Sequence, residues 1–174
     1  MPIHNVEIAD AFDHLADLLE IQQANRFRVR AYRNAARTVR NLGRSLADML
    51  EDGEDLSELP DIGKDLAEKI AEFVDTGHLA MLDEVSDAVP EGLVDVTAIP
   101  GIGPKRAQAL FRALDIRSRD DLRKAAEAGR IARIAGFGER TQARIRDELA
   151  RGDVSEQRFR LALAEDFAEP LVDF

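Results

Sequence analysis

Three short turns in this sequence have residue types and spacing that suit the binding of a phosphate group. The clearest is Ile99-Pro100-Gly101-Ile102-Gly103, which two basic residues, Lys105 and Arg106, follow closely. Its glycines permit backbone angles that a side chain would forbid, and the first N–H groups of the next helix have no partner inside that helix, so they can donate to an anion. Similar turns recur at residues 59–63 and 134–138, at intervals of 40 and 35 residues. The repetition predicts three helix-hairpin-helix units that hold a phosphate backbone.

We call the turns hairpin one (residues 59–63), hairpin two (residues 99–103) and hairpin three (residues 134–138). Contacts from their backbone N–H groups read no base, so the predicted binding is largely independent of sequence. Hairpin one has Asp61 where a glycine is expected, and Glu139 follows hairpin three, so a carboxylate that repels phosphate lies near each. The alternative for each turn is that its glycines only close a tight connection between helices. The predicted contacts to DNA in and beside the hairpins are Gly63, Lys64, Gly101, Gly103, Lys105, Arg106, Gly136, Gly138 and Arg140.

Lys69 is the residue whose type could support covalent chemistry. A lysine amine can attack the aldehyde carbon of an abasic sugar, form a Schiff base and allow β-elimination of the phosphate. This chemistry needs a neutral amine, which nearby arginines favour and nearby acids oppose. Asp65 lies four residues before Lys69 and Glu72 three residues after it, on the same face of the predicted helix. The alternative is therefore a lysine in a surface ion pair.

The chain is acidic overall, with a formal net charge of −10 over 174 residues, which argues against nucleic acid at first sight. The distribution of charge argues otherwise, because residues 26–44 contain seven arginines and no acid. Most of these arginines recur every three or four residues and so form one stripe on a helix. The stripe predicts a phosphate surface that includes Arg28 and Arg33, with Phe27 and Tyr32 as aromatic side chains that could stack on a base. The alternatives are a solvated face for the arginines and a core position for Tyr32.

The rest of the composition excludes several classes of site. The chain has no cysteine, so disulfides and cysteine-ligated metals are excluded, and its three histidines lie far apart with no spacing typical of a metal site. No stretch of about 18 apolar residues that could span a membrane occurs, and the N-terminus lacks the features of a signal peptide. We therefore expect a soluble cytoplasmic protein with no membrane partner and no required cofactor.

Apolar residues recur at helical spacing along the chain, and no stretch shows the sustained alternation of a strand. The sequence therefore predicts an all-α, multi-helix DNA-binding fold with two to three helix-hairpin-helix motifs in two small subdomains. Asn5 is the predicted N-cap of the first helix, and Gly43 is predicted to end the second. The longer predicted helices cover residues 5–20, 28–43, 64–75, 104–114 and 139–150.

Residues 25–36, 59–70 and 99–104 resemble the N-terminal half of the family X DNA polymerases, and residues 136–142 fit the third motif of the bacterial and archaeal members. The resemblance covers nearly the whole chain. It implies a lyase-like domain with hairpin one, a fingers-like domain with hairpins two and three, and a C-terminal helix at the start of a palm domain that this sequence lacks. These domains are expected at residues 1–88, 89–152 and 153–174.

The resemblance also implies roles for single residues. Lys69 matches the Schiff-base lysine, and Tyr32 matches a tyrosine that lines the same pocket. Arg28 matches a basic position that contacts the 5′ phosphate of a gap, and Phe27 matches a position that stacks on the template. Hairpin two matches the turn that holds the primer strand. By the same resemblance, turn carbonyls bind a monovalent cation (Na⁺ or K⁺), with Pro60, Ile62, Ile99 and Gly101 as the expected ligands.

The expected function is sequence-independent binding of gapped, nicked or end-containing DNA in repair, with 5′-deoxyribose-phosphate lyase activity at Lys69 as a further possibility. Asp61 and Asp65 depart from the family pattern and weaken the expected 5′-phosphate pocket. Because no segment supplies the carboxylates that hold Mg²⁺ for nucleotidyl transfer, the chain is not expected to polymerise DNA by itself. We expect a monomer that works with a separate catalytic polymerase domain. The alternatives are a non-catalytic DNA tether and a protein-interaction scaffold.

Overall fold

The computed structural model describes the backbone of residues 3–168 and the side chains as far as Asp153. These residues form α-helices, two short 3₁₀ turns and connecting loops, and no strand occurs among them, so the predicted all-α fold is confirmed. No helix in this part of the chain is long and apolar enough to cross a membrane. The helices are α1 (Asn5–Ile21), α2 (Arg26–Asn41), α3 (Leu46–Glu51), α4 (Lys64–Thr76), α5 (Ala80–Ala88), α6 (Gly92–Thr97), α7 (Pro104–Leu114), α8 (Arg119–Glu127) and α9 (Glu139–Ala168).

The chain divides into two compact units, the first ending at Val94 and the second beginning at Asp95. In the first unit, α1 and α2 pack along one another and bury a shared apolar core. Phe12 of α1 contacts Tyr32 of α2 edge to face, with the ring centroids 5.5 Å apart. Ile70 of α4 is also fully buried. This packing fixes the faces of α2 and α4 on which the candidate site residues of the first unit lie.

The start of α1 corrects the prediction that Asn5 is its N-cap. His4 is the N-cap residue, and its N–H donates to Glu7 Oε2 at 2.7 Å. Asn5 instead joins α1 to the loop before α3. Its Nδ2 donates to the Arg44 carbonyl at 2.7 Å, and its Oδ1 accepts from the Leu46 N–H at 2.9 Å. The side chain therefore satisfies two backbone groups that are distant in sequence, which a local pattern cannot predict.

Helix α2 begins and ends two residues earlier than predicted. Asn25 caps its N-terminus, because the Asn25 Oδ1 accepts from the Phe27 N–H at 2.8 Å. The last helical residue is Asn41, and the residue after it is extended. Gly43 lacks the left-handed backbone of a helix-terminating glycine, so its predicted role is wrong. Gly77 has that backbone, with φ of 70°, and it ends α4 one residue beyond the predicted end.

In the second unit, hairpin two precedes α7 and hairpin three precedes α9. The helix predicted to end at residue 150 is longer than expected. Helix α9 runs unbroken to Ala168, through the start of the C-terminal helix expected at residues 153–174, of which the last six lie outside the described residues. Gly152 lies inside α9, and the Arg119 Nη2 reaches to 2.8 Å from the position that a Cβ on this glycine would take. The glycine therefore permits close packing and does not end the helix.

Candidate nucleic-acid interface

The three hairpins share one backbone geometry, which begins with the third residue of each turn. That residue has a left-handed backbone, with φ of 62° at Asp61, 92° at Gly101 and 85° at Gly136. Glycine adopts such angles without steric cost, and Asp adopts them more readily than most residues with a side chain. The carboxylate of hairpin one is therefore compatible with the same turn as the two glycines.

The fourth residue of each turn is apolar and anchors the turn to its unit. Ile62, Ile102 and Phe137 are exposed by 3%, 2% and 6%. The N–H of each donates to the carbonyl of the first residue of its turn, with N···O distances of 3.2, 2.9 and 3.0 Å respectively. Each turn is thus closed by one hydrogen bond and held by one buried side chain.

The fifth position of each turn gives the strongest indication of a ligand. It is occupied by Gly63, Gly103 and Gly138. None of the three has a positive φ, so their backbones do not require glycine. A Cβ added to any of them would meet no other atom of the chain within 4 Å. The described structure therefore contains nothing that requires glycine at these positions. A ligand that approaches the backbone closely does require it, as a phosphate does at the start of a helix.

Hairpin one is the turn least suited to a phosphate. Asp61 is exposed at the turn, and Thr38 Oγ1 donates to Asp61 Oδ2 at 3.2 Å. This hydrogen bond keeps the carboxylate beside the turn, where it repels an anion. Gly63 is the N-cap of α4 and supplies no side-chain cap, so the first N–H groups of α4 stay open, with the exposed Lys64 next to them.

Hairpins two and three are joined through Arg106. Its Nη1 donates to the Gly101 carbonyl at 2.7 Å, and its guanidinium carbon lies 5.6 Å from the centroid of the Phe137 ring in hairpin three. Arg144 of α9, which is not among the predicted contacts, lies against Gly101 with its Nη2 2.8 Å from the position of a Cβ. We call the depression between hairpin two and the first turns of α9 the arginine cleft. Its lining consists of Pro100, Gly101, Arg106, Arg140, Thr141, Arg144 and Ile145.

Three of the seven arginines in residues 26–44 are paired with acids. These acids lie on α1 and in the loop after α3, outside residues 26–44, which contain no acid. The prediction of a stripe without balancing acids is therefore wrong. The pairs are Arg33 with Asp17 and Glu20, Arg40 with Asp10 and Asp13, and Arg44 with Glu54, at N···O distances of 2.5–2.9 Å.

Arg33, a predicted DNA contact, is the most enclosed of these paired arginines. Partial burial lowers the pKa of its guanidinium, but the hydrogen bonds to Glu20 and Asp17 outweigh burial and leave that pKa above its ordinary value. Arg33 therefore stays charged while its donors are occupied inside the protein. As a DNA contact it remains a prediction, and it would have to leave or share these carboxylates.

The structure brings Arg28, Tyr32 and Lys69 into one place, as the resemblance implies. Tyr32 is 2% exposed, so its ring has the core position given as the alternative and has no open face to stack on a base. Arg28 Nη2 and Tyr32 OH each donate to Met81 Sδ at 3.1 Å, a partner that no sequence pattern indicates. Burial raises the pKa of the Tyr32 phenol, and the charge of Lys69 opposes that rise. Lys69 is 17% exposed and forms an ion pair with Asp65, as the i,i+4 spacing allows.

Phe27 is 65% exposed, with the Arg26 guanidinium carbon 5.2 Å from its ring centroid. An exposed ring beside a cation is free to stack on a base, so the predicted role of Phe27 is sterically open. No group of three His, Asp or Glu side chains that could hold a metal ion occurs among the described residues.

Two segments of the chain match known domain families. Residues 3–79 match the family described as a helix-hairpin-helix domain, and residues 93–151 match the SAM-like helix-hairpin-helix tandem. The DNA polymerase/3′-5′ exonuclease PolX of Bacillus subtilis is 30% identical over 176 residues, which cover 99% of this chain. DNA polymerase lambda of Rattus norvegicus is 29% identical over 120 residues, which cover 69% of this chain. The chain spans 30% of the length of the first relative and 20% of the second.

The first matched segment contains hairpin one, and the second contains hairpins two and three. The predicted helix-hairpin-helix motifs are therefore confirmed, and so is the resemblance to the family X DNA polymerases. The chain contains helix-hairpin-helix domains and is homologous to the family X DNA polymerases, over 99% of its length in the comparison with PolX.

Proposed function

We propose that this chain binds DNA in repair and holds the phosphate backbone at gaps, nicks or ends without reading the base sequence. The observation that carries the proposal is the open space beside Gly63, Gly103 and Gly138, where helices begin without a side-chain cap at the first two of these residues. The helix-hairpin-helix domains and the homology to DNA polymerases support DNA binding. We further propose that the chain acts as a monomer together with a separate catalytic polymerase domain.

The distribution of charge favours hairpins two and three as the main grip. Residues 1–94 contain nine Lys or Arg and 20 Asp or Glu, whereas residues 95–153 contain 13 Lys or Arg and nine Asp or Glu. Lys105 is exposed at the start of α7, and no acid lies in hairpin two. A local excess of base attracts a phosphate even when the whole chain is acidic.

Hairpin two offers the phosphate a simple set of donors. Pro104 is the first residue of α7 and has no N–H, so the open donors of the first turn belong to Lys105 and Arg106. The positive end of the helix dipole adds to their attraction for a phosphate oxygen. In hairpin three, we assign the corresponding role to the backbone at Gly136 and Gly138, with Arg140 as a side-chain contact.

We also propose that Na⁺ or K⁺ supports the turns without being required for folding. The turn carbonyls of Pro60, Ile62 and Ile99 are the proposed ligands, of which the Ile99 carbonyl already accepts from the Ile102 N–H at 2.9 Å. The Gly101 carbonyl suits it less well than expected, because it already accepts a hydrogen bond from Arg106. The test is a change in DNA affinity when Na⁺ replaces K⁺ at constant ionic strength, and equal affinities would contradict the proposal.

The experiment that tests DNA binding is a titration of gapped and intact duplex DNA at two salt concentrations. The proposal expects tighter binding to the gapped duplex and an affinity that falls steeply with salt, since phosphate contacts release counterions. Equal affinity for the two duplexes would favour a non-catalytic DNA tether. The absence of any salt-sensitive binding would favour a protein-interaction scaffold and overturn the proposal.

A second candidate function is 5′-deoxyribose-phosphate lyase activity at Lys69. The observation that favours it is the largely buried side chain of Lys69 beside Tyr32. In the reaction, Lys69 Nζ attacks the sugar aldehyde at C1′ and water leaves as the Schiff base forms. A C2′ proton is then lost to water, the C3′–O bond breaks, and the 3′ oxygen leaves with the phosphate of the downstream strand; hydrolysis of the remaining Schiff base frees Lys69. The ion pair with Asp65 opposes this chemistry, because it occupies the amine that has to attack the aldehyde.

Borohydride trapping on an incised abasic duplex tests the lyase proposal. The expected result is a covalent adduct that Lys69→Ala abolishes and that Asp65→Asn increases by several fold, because the amine loses its carboxylate partner. Lys124→Ala is the control, since Lys124 is exposed and lies outside the predicted DNA contacts. No adduct with the unaltered chain or with Asp65→Asn would refute lyase activity.

A further inference from the structure

The arginine cleft differs from the other basic surfaces in the way its arginines are held. Arg106 is positioned by its hydrogen bond to the Gly101 carbonyl and by the Phe137 ring, and Arg144 lies beside Gly101. None of these partners carries a negative charge. The positive charges of Arg106 and Arg144 are therefore not neutralised by the contacts that position them.

The lining of the cleft suits a multiply charged anion. Arg140 contributes a third guanidinium and Thr141 a hydroxyl group, and none of the lining residues is an acid. Among the described residues, no carboxylate forms an ion pair with any of the three arginines. A backbone phosphodiester has a single negative charge. Three guanidinium groups around one concave site carry more positive charge than is needed to neutralise it.

A terminal phosphate matches this site better than a phosphate within a strand. A phosphate monoester carries a charge of about −1.5 to −2 near pH 7 and presents three acceptor oxygens, which guanidinium groups bind strongly. A strand end can also enter a depression that a continuous backbone passes over. Gly101 lines both the arginine cleft and the groove along hairpin two, so a strand held at Gly103 passes beside the cleft.

We propose that the arginine cleft binds the terminal phosphate of a DNA strand, with Arg144 as a binding residue, and that it directs the protein to phosphorylated ends. The inference rests on the proposed DNA binding and adds a chemical preference to it. The first-unit cluster is less suited to this role, because it contains a single arginine, Arg28, and its lysine, Lys69, is paired with Asp65.

The test compares short duplexes that differ only in one end group, a 5′ phosphate, a 3′ phosphate or a hydroxyl, by fluorescence anisotropy with the full chain. We expect one phosphorylated end to bind about tenfold more tightly than the hydroxyl end, a preference of about 1.4 kcal/mol. Arg144→Gln should remove most of that preference. Arg146→Gln is the matched control, because Arg146 is exposed on the same helix and lies outside the cleft.

The pH provides a second readout that a merely structural effect would not produce. The second ionisation of a phosphate monoester has a pKa of about 6. The preference for the phosphorylated end should therefore grow as the pH rises from about 5.5 to 7.5. Thermal unfolding of each variant identifies any substitution that lowers affinity by destabilising the second unit.

The contrary outcomes would contradict different claims. Loss of affinity for hydroxyl and phosphorylated ends alike in Arg144→Gln would make the cleft a phosphodiester contact and overturn the terminal-phosphate assignment. If inorganic phosphate at the same concentration as the strand ends removed the preference, the cleft would be a site for free phosphate. That result would also overturn the assignment. Binding of DNA without any end preference would overturn the inference alone, whereas failure to bind every duplex would overturn the proposed function with it.

Discussion

Gly103→Ser separates the role of hairpin two in DNA binding from its role in folding. Gly103 has φ of −89° and ψ of 178°, a conformation that serine adopts readily, and a Cβ there would meet no atom of the chain within 4 Å. Serine is also a preferred N-cap residue, because its hydroxyl accepts from an N–H of the first helical turn. The substitution should therefore leave the free energy of unfolding unchanged or raise it by a few tenths of a kcal/mol.

The same substitution should weaken DNA binding strongly. The new hydroxyl would occupy an N–H group that we assign to a phosphate oxygen, and the Cβ would fill the space through which the phosphate approaches. Hydrogen bonds to a charged group contribute about 1.5–3 kcal/mol each. Loss of one such bond corresponds to an affinity about 10- to 100-fold lower. Because the contact reads no base, the loss should be similar for duplexes of unrelated sequence.

Anisotropy titration of a gapped duplex measures the affinity, and urea unfolding measures the stability of the same preparation. Gly43→Ser is the matched control, since Gly43 also has open space around it and no positive φ but lies outside the hairpins. The control should change neither quantity appreciably. An unchanged affinity in Gly103→Ser, with the protein folded, would refute the assignment of hairpin two as the grip.

Two further substitutions address the third position of the turns. Gly101→Ala should lower the free energy of unfolding in urea by about 1–2 kcal/mol, because φ is 92° and the new Cβ would displace Arg144; a stable variant would contradict this account of the turn. Asp61→Gly should change stability by less than about 1 kcal/mol, since it relieves a left-handed residue and loses only an exposed hydrogen bond to Thr38. It should also raise DNA affinity several fold in the anisotropy titration by removing a carboxylate, and lower affinity would show that Asp61 assists binding.

The turns and most helix starts could be predicted from the sequence because their causes are local. Ser45 and Ser118 cap α3 and α8 through bonds to residues three positions later. The left-handed position in each hairpin follows from the few residue types that tolerate it. Interactions between residues this close in sequence produce patterns that can be recognised in any window of ten residues. The repeated hairpin pattern therefore allowed the fold and the family to be predicted.

The partners of the charged side chains could not be predicted, because they depend on packing between elements. Arg33 and Arg40 meet acids on α1 that lie 13 to 30 residues earlier in the chain. Met81 reaches Arg28 and Tyr32 from α5, about 50 residues later. The contact of Arg144 with Gly101 likewise joins α9 to hairpin two. A helical wheel shows that residues share a face and does not show what faces them.

These contacts distinguish two kinds of arginine in one acidic chain. Arginines held by carboxylates, such as Arg33 and Arg40, have their charge and donors satisfied within the first unit, so a phosphate must compete for them. Other arginines, such as Arg106 and Arg144, lie against a carbonyl, an aromatic ring or a glycine, and these contacts do not neutralise their positive charge. An anion gains more from the second kind, because no ion pair has to be broken first. Density of arginine in the sequence therefore indicates a phosphate site less reliably than the chemistry of the groups that hold each arginine in place.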